Sequence, residues 1–180
     1  MAFTSDLDQI TRAAAGDPGA VSWLVDRYSP QVLGLATRML GDRTEAEDVT
    51  QETFLRAWKA LPNWEPRAKF STWLHRVALN LCYDQLRKRR EVLPGELPDM
   101  ADTAPTPPER YEQTERVRTI EAAIAALPER QAAALTLCAL QGHSQAEAAD
   151  ILDTSEEALE SLLARARRSL RAVLAERSVA

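Results

Sequence analysis

"KFSTWLHRVALNLCYDQLRKRR", Lys69 to Arg90, decides how the chain is to be read. Its apolar residues return at helical spacing. Trp73 or Leu74, Val77, Leu81 and Leu86 make an inward stripe behind a Ser71 cap. The opposite side is basic. From Glu65 to Arg90 there are seven Lys/Arg (Arg67, Lys69, Arg76, Arg87, Lys88, Arg89, Arg90) against two acids (Glu65, Asp84), a local charge of about +5. The whole chain carries the opposite sign, -5. A cationic, aromatic-flanked amphipathic helix inside an acidic protein calls for an anionic partner.

With 180 residues, 45% hydrophobic and 27% charged, the chain has material for one modest core or two small ones. The opening MAFTSDLDQITRAAAG lacks the basic and apolar regions of a signal peptide. No window approaches the roughly 18 apolar residues of a membrane span, so a soluble cytoplasmic protein is expected. Cys82 and Cys138 stand far apart at apolar helical positions without a CxxC or a neighbouring His, which suits buried reduced thiols. His75 and His143 join no Ser, Cys or carboxylate motif. There is no phosphate loop, nucleophile elbow or HExxH, so no enzyme, cofactor or metal is expected.

Outward from Lys69 the rest of the chain also reads at a 3.6 period, and no alternating strand with a tight hairpin turn interrupts it. The fold class is all-α. A first helix from about Ser5 to Ala15 stops at Gly16. Asp17 then caps a second with Pro18 in its first turn, and Pro30 should kink or restart that helix before Gly41-Asp42 ends it. A third, TEAEDVTQETFLRAWKAL, opens on Thr44 and Glu47 in a capping-box pattern and closes before Pro62.

After the basic helix, EVLPGELPDMADTAPTPPERYEQTE holds five prolines, seven acids and one Arg. It reads as a flexible acidic linker, with 91–112 as its span. Helical patterns then return as RVRTIEAAIAAL, PERQAAALTLCAL, SQAEAADIL and SEEALESLLARARRSLRAVL. The architecture expected is two small helical domains, 1–90 and 113–177.

Near the end, Ser144 and Glu147 form a capping box for a short helix with Ala148, Ala149 and Ile151 inward. The turn Leu152-Asp153-Thr154 leads to a longer helix, expected to be capped by Thr154 with Glu157, whose inward face carries Leu159, Leu162, Leu163, Ala166, Leu170 and Val173. Two helices of this size joined by a short turn suit a DNA-binding helix-turn-helix, or an ordinary helical hairpin. Arg165, Arg167, Arg168 and Arg171 tilt the reading toward phosphate contact.

Both halves, in this order, resemble bacterial RNA polymerase sigma factors of the extracytoplasmic-function (ECF) group, which keep the two domains called region 2 and region 4. In the first half the resemblance rests on "AEDVTQETFLRAWKAL" and "KFSTWLHRVALNLCYDQLRKRR". In the second it rests on "ALPERQAAALTL", "SQAEAADIL" and "LLARARRSL". It implies a transcription initiation factor that binds core RNA polymerase, directs it to promoter DNA and promotes strand opening under an anti-sigma factor.

Carried over residue by residue, Asp48, Gln51 and Glu52 correspond to the polymerase-docking positions; at i, i+3 and i+4 they share one helical face. The loop WEPRAKFS, with Trp64, Arg67, Lys69, Phe70 and Ser71, corresponds to the receiver of a base flipped from the minus-ten element. Phe70 and Trp73 also suit plain core anchors. Asn80 and Asp84 match promoter-reading positions, and Arg87 and Lys88 begin a basic run for backbone phosphate.

In the second half Glu157, Glu160, Ser161, Arg165 and Arg168 are the minus-thirty-five candidates. There the chain departs from the family: Ala158, Glu160 and Leu162 stand where Thr, Lys and Arg are frequent, and Glu156 and Glu157 add charge that repels phosphate. A stand-alone helix-turn-helix regulator and a protein-interaction module are the competing readings; the first leaves the amino-terminal domain idle.

Overall fold

The structure is a computed structural model that describes residues 2–65, 68–92 and 108–177; helices joined by short turns account for these, without a strand. Helix α1 (Ala2–Ala14) ends in a turn that Gly16 completes at φ +85°. Asp17 starts α2 (Pro18–Leu40) by accepting from the Gly19 and Ala20 N–H groups, with Pro18 in the first turn.

The break expected at Pro30 does not occur: α2 is one helix of 23 residues. Pro30 and Asp26, whose carbonyl the proline cannot bond, both lie on the exposed side. On the other side Leu24, Tyr28, Val32 and Leu35 are buried and hold the helix through that point.

Helix α3 (Arg43–Ala60) is capped by Asp42, which accepts from the Glu45 N–H at 2.9 Å, rather than by Thr44. Asp42 stands one residue past the left-handed Gly41, where the chain is extended and can cap. A 3₁₀ turn (Leu61–Asn63) leads to α4 (Phe70–Val92). The buried stripe of α4 is Phe70, Leu74, Ala78, Leu79 and Cys82. Val77, Leu81 and Leu86 are only half-buried, one position away from that stripe or beyond its end. Ser71 does not cap α4 either; its carbonyl is in hydrogen-bond contact with Nδ1 of His75 at 2.7 Å. The linker expected over 91–112 overlaps the ends of α4 and α5 and otherwise lies outside the described residues.

The second half consists of α5 (Pro108–Ala125), α6 (Glu129–Leu135), α7 (Gln145–Ile151) and α8 (Glu156–Arg177). Helix α6 widens into a π turn over Thr136–Leu140, where the Gln141 N–H reaches back to the Thr136 carbonyl. The Ser144–Glu147 capping box of α7 is present in both directions. Helix α8 is capped by Ser155, which accepts from the Ala158 N–H at 3.2 Å, and not by Thr154: Asp153 takes φ 49°, and this left-handed residue shifts the start by one position. The inward residues agree with the pattern, Leu159, Leu163 and Ala166 being buried and Leu162 and Leu170 partly so.

Within the first half α2 packs on α1, α3 and α4; within the second α8 packs on α5, α6 and α7. The two halves also touch. Helix α2 meets α5 and α6, and α4 meets α7, so their buried residues form one continuous cluster.

Candidate nucleic-acid interface

Phe70 organises the middle of the first half. Its ring, 3% exposed, meets Tyr28 edge-on at 5.6 Å and Trp64 edge-on at 5.7 Å, and stacks on Trp73 at 5.9 Å. Such arrangements suit the aromatic quadrupole and make the ring a rigid floor. Above it opens a cleft of about 720 Å³ lined by Trp64, Lys69, Phe70 and Ser71, four of the five loop residues singled out in the sequence. Arg67, the fifth, lies outside the described residues. A second cleft of about 580 Å³ is bordered by Trp64, Trp73 and Arg76. Each is large enough for a nucleobase, with aromatic walls and charged groups of both signs in the lining.

The sequence pattern did not point to the opposite wall of the larger cleft, which comes from α1 and α2. Tyr28 donates to Asp6 at 2.6 Å, Arg27 lies 3.5 Å from the same carboxylate, and Gln31 is adjacent. Burial, then the bond to Asp6, pushes the Tyr28 hydroxyl up to about 12, so it stays a donor. Arg27 also sits 5.2 Å over the Trp23 ring, and their i, i+4 spacing was the one signal in the sequence that could have marked this wall.

Further along α4, Asn80 is exposed, and Asp84 accepts from Arg87 at 2.9 Å. Arg87 and Lys88 point outward. The last two cations of the run do not share that face: Arg89 turns inward to Glu45 (2.5 Å) and the Leu40 carbonyl (2.8 Å), and Arg90 pairs with Glu129 at 2.6 Å.

On α3, Asp48 and Gln51 are exposed and Glu52 accepts from Arg56 at 2.8 Å, a bond that holds its carboxyl below the usual range. Beside them runs a shallow apolar groove bordered by Val25, Leu33, Phe54, exposed Leu55 and Trp58. An acidic edge next to an apolar furrow suits a basic amphipathic helix. On α8 all five candidates, Glu157, Glu160, Ser161, Arg165 and Arg168, are exposed on one side. Leu162, one of the departures from the family pattern, is half-buried against the core.

Two residues left unassigned in the sequence meet across the halves. His75 is fully buried and its ring lies edge-on to His143, centroids 5.0 Å apart. Burial lowers the pKa of both. Beside them Glu147 takes a hydrogen bond from Lys69 at 2.6 Å and is held down to about 2, first by that bond and then by the Ser144 backbone and hydroxyl. Cys82 is buried, its thiol pushed up to about 12, and Cys138 is half-buried; both are free thiols. No group of three potential metal ligands occurs among the described residues, and none of their helices is long and apolar enough to cross a membrane.

The fold thus defines an all-helical protein in which a helix bundle with an aromatic-lined cleft is followed by a helix-turn-helix unit. Residues 24–92 match the sigma-70 region 2 family and residues 118–170 the sigma-70 region 4 family. The chain is 35% identical to the ECF RNA polymerase sigma factor SigE of Mycolicibacterium smegmatis over 172 residues, covering 92% of this chain and 66% of SigE. It is 31% identical to the RNA polymerase sigma-H factor of Pseudomonas aeruginosa, covering 93% and 94%. Other curated relatives are longer, and the chain spans as little as 44% of their length. Among solved structures, CnrH in complex with the cytosolic domain of CnrY aligns with a TM-score of 0.71 at 28% identity, over 95% of this chain and 97% of that one. The chain belongs to the sigma-70 family of RNA polymerase sigma factors, in its ECF group.

Proposed function

We propose that the protein is a cytoplasmic transcription initiation factor, not an enzyme, that carries core RNA polymerase to specific promoters and opens the minus-ten element. One observation supports this most: the cleft over Phe70 brings Trp64, Lys69 and Ser71 together with polar Asp6, Arg27 and Gln31 on α1 and α2. Extruding a base costs a few kcal/mol of stacking. An aromatic wall returns about 1–3 kcal/mol per base, and the polar groups can pair with the exposed base edge. Asn80 and Asp84 would read neighbouring unpaired bases, while Arg87 and Lys88 hold phosphate. Asp48, Gln51 and Glu52, beside the apolar groove, form the polymerase-docking face. Helix α8 faces the minus-thirty-five element, with Arg165 and Arg168 on backbone phosphate and Glu157, Glu160 or Ser161 nearest the bases.

CnrH was solved with the cytosolic domain of CnrY. We infer that a protein partner, an anti-sigma factor, likewise holds the present chain. Nothing in this reading requires a metal, cofactor or small-molecule substrate.

The test is transcription with core enzyme over a genomic fragment library, followed by Asn80→Ala on a recovered promoter. Open-complex formation should fall more on duplex DNA than on a template already mismatched at the minus-ten element, because the latter needs no unpairing. Equal losses on both templates, read by permanganate footprinting, would refute a role in melting. Duplex binding that needs no core enzyme would favour the stand-alone regulator instead.

A further inference from the structure

The cleft over Phe70 carries one group that stacking does not use, an acid in its wall. Asp6 belongs to α1, ahead of residues 24–92 that match sigma-70 region 2. Its Oδ2 accepts from the Tyr28 hydroxyl at 2.6 Å, and the Tyr28 ring meets Phe70 edge-on, so the carboxylate is fixed relative to the aromatic floor. Its Oδ1 is buried and accepts no hydrogen bond among the described residues. Arg27 Nε lies 3.5 Å away, beyond hydrogen-bond range, with its guanidinium over the rings of Trp23 and Tyr28 at 5.2 and 5.7 Å. A buried carboxylate oxygen without a donor is costly, and it favours a ligand that brings one. Glu147, which also borders the cleft, is already taken by Lys69 and Ser144.

An acceptor beside a cationic donor complements one kind of base edge. Cytosine sets its N4 amino group next to the acceptor N3, and adenine sets N6 next to N1. Thymine and guanine reverse the order, a carbonyl oxygen next to a ring N–H, and would press that oxygen against Oδ1.

We propose that Asp6, positioned by Tyr28 and flanked by Arg27, makes the cleft select cytosine or adenine over thymine or guanine as the extruded base of the minus-ten element. The inference rests on the reading of the cleft as the receiver of that base. The amino group donates to Oδ1. The ring nitrogen accepts from the Arg27 guanidinium, whose side chain is 44% exposed and can swing off the carboxylate as the base enters. Stacking on the aromatic walls serves every base alike, so the discrimination comes from this polar wall.

The test uses the full chain assembled with core enzyme and a recovered promoter already mismatched at the minus-ten element, with each of the four bases placed in turn at every position of that element. Holoenzyme affinity is read by competition. At one position cytosine and adenine should bind about five- to tenfold more tightly than thymine and guanine, toward the lower end of what one such pair of bonds commands. Asp6→Asn keeps the shape and still accepts from Tyr28, but puts an amide N–H where Oδ1 stands; it should bring the preference below about twofold, and Asp6→Ala should do the same. Replacing the preferred cytosine by 2-pyrimidinone, which lacks only the amino group, should weaken wild-type binding about fivefold and Asp6→Asn binding hardly at all.

A preference retained by Asp6→Asn or Asp6→Ala overturns the selector. So does an equal 2-pyrimidinone penalty in the wild type and Asp6→Asn, or a wild type indifferent to the base at every position. Run-off transcription by the wild-type holoenzyme checks the underlying function separately: transcription without base preference removes the selector and leaves the function standing, whereas no transcription from any promoter removes both.

Discussion

At the scale of single residues, His75 and His143 show how burial gives a common side chain a conditional role. Both are held below the ordinary imidazole range, first by burial. His75 faces the Ser71 carbonyl and His143; His143 in turn faces Lys69 and Glu147. On unfolding, the rings regain their ordinary affinity for protons. Below about pH 6.5 the unfolded chain therefore binds more protons than the folded one, and stability falls as pH falls. Glu147, at about 2, remains ionised across this window and does not contribute. The urea midpoint should fall between pH 7.5 and 5.5, and His143→Asn should flatten the response; a midpoint independent of pH in the wild type would refute this.

Glu160 poses a second single-residue question. It stands exposed on α8 with Glu156 and Glu157 close by, and three carboxylates are hard to place against phosphate. A solvent-facing Glu160 predicts that Glu160→Lys strengthens binding to all minus-thirty-five sequences alike and steepens the salt dependence by about one ion. Selection of randomised promoters by holoenzyme decides it, since a shifted consensus would mean that the carboxylate reads a base.

At the scale of elements, the join between α2 and α3 carries more than its length suggests. Gly41 closes α2 at φ +66°, donating to the Thr37 carbonyl, and sets the extended Asp42 that caps α3. A Cβ on Gly41 would also come within 3.2 Å of the Ala125 methyl of α5. Gly41→Ala should thus cost about 1–2 kcal/mol from the left-handed backbone alone. It should also loosen α5 from α2. Urea unfolding measures the first effect and the radius of gyration in small-angle scattering the second; a variant as stable and as compact as the wild type would contradict both.

Elements also explain where helix signals misled. Pro30 is a breaker in isolation, but the buried side of α2 outweighs one missing hydrogen bond on the exposed side. Thr44 and Thr154 each belong to a capping pattern in the sequence, yet Asp42 and Ser155 cap instead. The left-handed Gly41 and Asp153 set the helix starts, and only the backbone path shows which residue is extended there.

At the scale of the molecule, the two halves present three outward faces: the acidic edge of α3, the basic side of α4 and the outer side of α8. The docking assignment predicts that Asp48→Lys combined with Glu52→Lys weakens binding to core polymerase severalfold. Thermal unfolding should hardly move, because surface substitutions usually change stability by less than about 0.5 kcal/mol. Pull-down with core enzyme checks it, and unchanged affinity would remove α3 from the docking surface.

The all-helical class, the succession of a bundle and a helix-turn-helix, the Asp17 and Ser144 caps, and the outward faces of α3 and α8 were all legible in the chain. Each depends on residues within one or two turns of each other, where periodicity and capping chemistry act. The cations of the basic run could not be sorted that way. Lys88 and Arg89 are neighbours, yet one faces solvent and the other reaches Glu45 on α3. The aromatic floor under the cleft, the α1 wall opposite it, the meeting of His75 with His143 and the pairing of Lys69 with Glu147 likewise join residues far apart in sequence. Their geometry depends on how whole helices approach one another. That approach is decided by the summed packing of Leu24, Leu35, Leu74, Ile124, Leu137 and Leu159 in one continuous core, and no local pattern records it.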